Sequence, residues 1–122
     1  MIIEEQGDRL SRLQRVSAKA AFSRATRKRL IHSRAQLDRV NAAIRQAVVS
    51  GQLRPDAGFE KMREAMELKL AAAERSLEQL QKSGDDCWES LRDSVDGSCQ
   101  ELSNSISMAI EQVAAEAHRL AR

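Results

Sequence analysis

Aromatic residues are almost missing from this chain. Trp88, Phe22 and Phe59 are the whole set, and there is no tyrosine. Pro55 is the single proline, and Cys87 and Cys99 are the only cysteines. Strands draw on aromatic and β-branched residues, so a β-rich fold has little to build with. On one helix, twelve residues apart, Cys87 and Cys99 would stand about 18 Å from each other. That is too far for a disulfide between them within that helix, so both are expected as small buried side chains, with an intermolecular disulfide or a redox role as the alternative. No run approaches the roughly 20 apolar residues that span a bilayer. The opening MIIEEQGDRL lacks a basic segment followed by a long apolar one. A cleaved secretory leader is therefore not expected, and the cytoplasm is the expected location.

Ala, Leu, Glu, Arg, Ser and Gln fill most of the 122 positions. Most of these lose little conformational freedom in a helix. With sustained apolar spacing, such a mixture reads as long helices or coiled coil. The chain is long enough for one domain.

Three helical stretches are legible. The first covers about 8–50. Leu30, Leu37 and Ile44 recur at heptad spacing, with Val40, Ala47 and Val48 beside them. Earlier come Leu10, Leu13, Val16 and Ala20, but residues 23–29 offer almost nothing to bury. Gly51 suits a left-handed C-terminal cap, and Pro55 forbids continuation through the preceding turn. Asp56 complements the dipole of the next helix. So short a connection makes neighbours antiparallel. The second stretch, 56–82, repeats Phe59, Met62, Met66, Leu70, Ala73, Leu77 and Leu80 at three- and four-residue steps. The third, 86–121, carries Trp88, Leu91, Val95, Cys99, Leu102, Ile106, Ile110, Val113, Ala117 and Leu120. Leu30, Leu37 and Ile44 are expected to pack on Phe59, Met66 and Leu70 near the first turn.

The junction Ser83–Asp86 has two readings. Gly84 caps a helix, with Asp86 and Glu89 as an acidic capping box, or it sits inside one continuous helix at a cost of about 1 kcal/mol. The two stripes point the same way at 100° per residue, which favours continuity. Folding the chain about residue 53 then sets Arg9–Lys28 opposite 78–97 and Phe22 beside Gly84. The expectation is an all-α, antiparallel coiled-coil hairpin with a long second helix, or a three-helix bundle if the chain turns back at Gly84. In the hairpin the stripe beyond about residue 100 lacks a partner within the chain, so a dimer follows. Trp88, Leu91, Val95, Leu102, Ile106, Ile110 and Val113 are its candidate protein-interaction surface.

Charge is segregated. Residues 1–50 hold eleven Lys/Arg against four acids, and 83–118 hold eight acids against Arg92. The net charge of +2 conceals both runs. Their first expected use is to pair with each other and set register. Arg24, Arg27, Lys28, Arg29 and Arg34 cluster where burial is poorest, so they are the candidate contact with an anion or nucleic acid. No aromatics interleave with them for base stacking. A membrane surface is disfavoured, because the nearby face lacks a Trp/Phe/Leu wedge.

His32 and His118 have no second His or Cys at helical metal spacing. The five glycines are scattered, so no phosphate loop forms. The acids Asp85, Asp86 and Glu89 lack calcium-loop spacing. No catalytic constellation, metal site or cofactor is expected. The remaining expectation is a non-enzymatic scaffold or adaptor, with nucleic-acid binding through the basic run as the alternative.

One segment is familiar. Ser83, Gly84, Asp85, Trp88, Glu89, Leu91, Val95, Asp96 and Leu102 follow the later part of the pattern L-x-x-L-x-x-x-S-G-D-x-A-W-E-x-L-x-x-G-V-D-x-A-x-x-x-L, with Leu77 and Leu80 standing one residue nearer to Ser83 than its leucines. In this, residues 77–117 resemble bacterial coiled-coil proteins, mostly uncharacterised. Cys87 and Ser98 stand at the alanines of that pattern, Cys99 follows the second of them, and Ser94 replaces a common glycine. The resemblance covers about a third of the chain. It implies an elongated helical protein and no particular activity.

Overall fold

The computed structural model describes the backbone of residues 2–54 and 57–121, and side chains over 11–54 and 58–119. The chain is all-α. Three helices follow one another: α1 (Ile2–Val49), α2 (Ala57–Lys82) and α3 (Glu89–Ala121). Each packs against the other two, α2 and α3 most extensively. The chain therefore turns back after Gly84 into the three-helix form, and α2 and α3 are not continuous.

Side-chain pairs fix the directions. Lys19 meets Ser83 while Arg34 meets Glu67, so α1 and α2 are antiparallel. Ser76 meets Ser98 across the second turn, so α2 and α3 are antiparallel as well. Phe22 meets Trp88 and Arg29 meets Asp96, so α1 and α3 run parallel. The α1–α2 register lies within a few residues of the fold about residue 53.

The first turn is built as the glycine suggests. Gln52 N–H donates to Ala47 O at 2.8 Å and Gly51 N–H to Val48 O at 3.2 Å. Gly51 has φ +77°. This is the paired 6→1 and 5→2 bonding of a Schellman cap. Leu53 then turns inward and is buried. The readings of Pro55 and Asp56 fall outside the described residues. Gly51→Ala is expected to cost about 1–2 kcal/mol, because a Cβ is unfavourable in the left-handed region. No neighbouring atom would clash with that Cβ, so denaturant unfolding reads the backbone preference alone.

One core runs through the bundle. α1 supplies Leu30, Leu37 and Val40, α2 supplies Met66, Leu70, Ala73, Leu77 and Leu80, the second turn supplies Trp88, and α3 supplies Val95, Cys99, Leu102, Ile106 and Ala109. Phe22, Ile44, Met62 and Leu91 pack on its edges. Residues 23–29 are not a gap in this seam. Ser23 and Thr26 are buried there, and Ser33 follows one heptad after Thr26.

Three expectations change. α1 begins at Ile2 rather than near residue 8. Phe22 does not fill the space at Gly84, where an added Cβ would meet nothing within 4 Å. Its ring lies against Trp88 instead, centroids 5.9 Å apart. Asp86 sits in the turn and pairs with Arg15 at 3.3 Å, while α3 opens at Glu89.

Candidate interaction surfaces

The apolar stripe expected to face a partner belongs largely to the chain's own core. Trp88, Val95, Leu102 and Ile106 are at most 3% exposed. Leu91 and Val113 are half-buried. Ile110 alone of the seven lies open, at 48% exposed. The reason is the return of α3 along α2, which gives the stripe a partner inside the chain. Ala109 takes the inward position expected of Ile110.

What projects is the other end of the chain. Arg15 pairs with Asp86, and Lys19 Nζ donates to Ser83 O at 2.5 Å and approaches Asp85 at 3.6 Å. These contacts mark where α1 passes the α2–α3 turn. The helix continues toward its start at Ile2, about 20 Å further at 1.5 Å per residue. Along its described part Leu13 is 63% exposed and Val16 43%. The apolar residues of this arm were visible in the sequence. The exposure of Leu13 and Val16 was not, because that depends on where α3 goes.

The basic run divides. Arg29 meets Asp96 at 3.4 Å and Arg34 meets Glu67 at 3.3 Å. These surface pairs contribute little energy each, but they match the register of the helices. Arg24, Arg27 and Lys28 are exposed, and none forms an ion pair with a described residue. They occupy one turn of α1, with Arg24 and Lys28 in the i,i+4 relation that makes helical neighbours.

Both thiols are free. Cys99 is buried in the core as expected. Cys87, expected buried, is exposed because it falls in the turn. Burial pushes the Cys99 thiol up, opposed by nearby Arg29 and assisted by Asp96. A raised thiol is a poor nucleophile. His32 and His118 are both exposed. Among the described residues no three His, Cys, Asp or Glu groups gather in a metal-binding cluster. No described helix is long and apolar enough to cross a membrane.

A shallow apolar groove lies between the end of α1 and the start of α2. Ile44, Val48 and Phe59 line it, with Arg45 and Arg63 at its rim. Asn41 Oδ1 is buried there without a hydrogen-bond partner among the described residues.

No family model matches this chain, and neither does any curated protein or solved structure. The surfaces above therefore carry the functional argument.

Proposed function

We propose that this protein is a non-enzymatic coiled-coil scaffold or adaptor, acting by helix-face contact with partner helices and with a second copy of itself. The projecting arm of α1 carries this reading. A helix that leaves its bundle with Leu13 and Val16 in water exposes apolar surface that association would cover. A cytoplasmic location remains part of the proposal.

The full chain is expected to self-associate in sedimentation velocity, with the mass average rising with concentration. Leu13→Glu together with Val16→Glu should weaken that association at least tenfold, since each apolar side chain buried contributes about 1.5–3 kcal/mol. Both positions are exposed in the monomer, so helical content should stay unchanged. A full chain that stays monomeric at every concentration reached would count against self-association.

Nucleic-acid binding is the second reading, favoured by Arg24, Arg27 and Lys28 standing together without an ion pair to a described residue. Duplex DNA binding is then expected at low salt and lost at high salt. Replacing all three by Glu should flatten the plot of log affinity against log salt by about 3. Unchanged binding by that variant, or none by the native chain at low salt, would end this reading.

A further inference from the structure

We propose that residues 83–88 form a hinge whose straightening fuses α2 and α3 into one helix, so that the α3 half packs on the α1–α2 pair of a second copy. The product is a domain-swapped dimer. The inference rests on the self-association reading and supplies its geometry.

The helical phase is the first support. The buried seam of α2 ends at Leu77 and Leu80, and it resumes at Trp88 at the end of the turn and at Val95 in α3. From Leu80, steps of four lead through Gly84 to Trp88, with no break in the three-and-four pattern on either side. Two helices joined by a turn need no common phase. A single long helix does need one.

The turn itself is the second. Gly51 is the only described residue with positive φ, so the first turn is locked by a left-handed cap and the second is not. Ser83 N–H already donates to Gln79 O at 3.0 Å, as in an α-helix. Beyond it the turn is held by short-range bonds, Cys87 N–H to Gly84 O at 2.9 Å and Leu91 N–H to Trp88 O at 3.0 Å. Beyond Gly84, moving from i→i−3 to i→i−4 bonding is a small backbone change, so the reversal at Ser83–Asp85 is the part that has to open.

The arm of α1 is the third. Leu13 stands two heptads before Arg27 and three before Arg34, and both of these line the groove facing α2. Leu13 therefore lies on the α2-facing edge of α1. A straightened α3 would continue along the axis of α2 past that edge. Lys19 sits opposite Ser83 and Asp85, which brings Leu13 and Val16 opposite residues 86–91, including Trp88 and Leu91. Arg12 falls between Glu89 and Asp93, so charge is complementary along the same line. The remaining interface is already built, because the partner's α3 makes the contacts that α3 makes within one chain. That reuse is what makes swapping a low-cost route to dimers.

Ser76 and Ser98 give the test, since their hydroxyls lie 3.3 Å apart across α2 and α3. Ser76→Cys with Ser98→Cys, in a chain also carrying Cys87→Ala and Cys99→Ala, is refolded at high concentration. Its dimer fraction is then isolated, oxidised and run on a denaturing, non-reducing gel. A covalent dimer is expected. A dimer fraction holding only intrachain disulfides overturns the swap and leaves self-association standing. Absence of any dimer fraction overturns both. The hinge is tested without new cysteines. Gly84→Ala should tighten dimerisation about thirtyfold, because glycine costs a helix about fivefold and two hinges straighten. Asp85→Pro should abolish dimerisation while the monomer stays folded, since proline bars a continuous helix and suits the second position of the turn that Cys87 N–H closes on Gly84 O. A dimerisation constant unmoved by either substitution overturns the hinge.

Discussion

Leu102→Ala is expected to destabilise the chain by about 2–5 kcal/mol, the usual cost of emptying a buried leucine site. Leu102 is fully buried on α3, in the core it shares with α1 and α2. The spread in that figure reflects how far neighbours collapse into the space. Here all three walls are helices whose backbones are fixed by their own bonds, which favours the upper half. Ile110→Ala is the control. Ile110 is half exposed, so its loss should cost well under 1 kcal/mol. Urea unfolding followed by circular dichroism measures both. The comparison separates two accounts of one stripe. If the stripe faced a partner, the two substitutions would differ little in a dilute monomer. Because α3 folds back on α2, they should differ by several kcal/mol.

Most of the architecture is legible in the sequence because helices announce themselves through local chemistry. Gly51 marks the first turn through a backbone conformation that only glycine adopts cheaply, and the heptads of Leu30, Leu37, Met66 and Leu70 mark faces that do meet. The second turn is a different kind of object. Nothing in Ser83–Trp88 requires a non-helical conformation, and the seam runs through it in phase. The decision to turn is made by tertiary contact. Phe22 against Trp88, Lys19 on the Ser83 carbonyl and Arg15 on Asp86 hold the turn from the side of α1. Such contacts join residues more than sixty positions apart, which local spacing does not reveal. The same reason hid the interaction surface. With α3 returned, Trp88 and Leu102 became core, and exposure passed to Leu13 and Val16.

The charge pattern was legible in part. Opposite runs do meet, at Arg15–Asp86, Lys19–Asp85 and Arg29–Asp96. Their geometry differs from the simple hairpin, because Asp96 reaches Arg29 from a helix parallel to α1. Arg24 and Lys28 are left over in solvent, and Arg27 lines the groove facing α2 without an ion pair to a described residue. Surface pairs of this exposure are worth about 0–1 kcal/mol each. They choose among registers more than they hold the bundle together, and salt should shift stability only slightly.

Trp88 carries the second large effect, and the size should depend on what replaces it. Its side chain is 3% exposed and stacks at a tilt on Phe22 where α1, the turn and α3 converge. Trp88→Ala removes the largest side chain of the core, and about 3–5 kcal/mol should be lost. Trp88→Phe should cost far less than its size suggests. Trp88 Nε1 is buried without a hydrogen-bond partner among the described residues, so the native state gains nothing from that polar group and bears its desolvation. A phenyl ring keeps the aromatic contact with Phe22 and removes the orphaned N–H, which offsets part of the lost volume. The expected order is Trp88→Phe within about 1.5 kcal/mol of the native chain and Trp88→Ala well below both, read by far-ultraviolet circular dichroism because the tryptophan signal is lost. Equal losses for the two would mean that Nε1 is satisfied in solution. The aromatic contact that holds the second turn would then rest on a hydrogen bond as well as on packing.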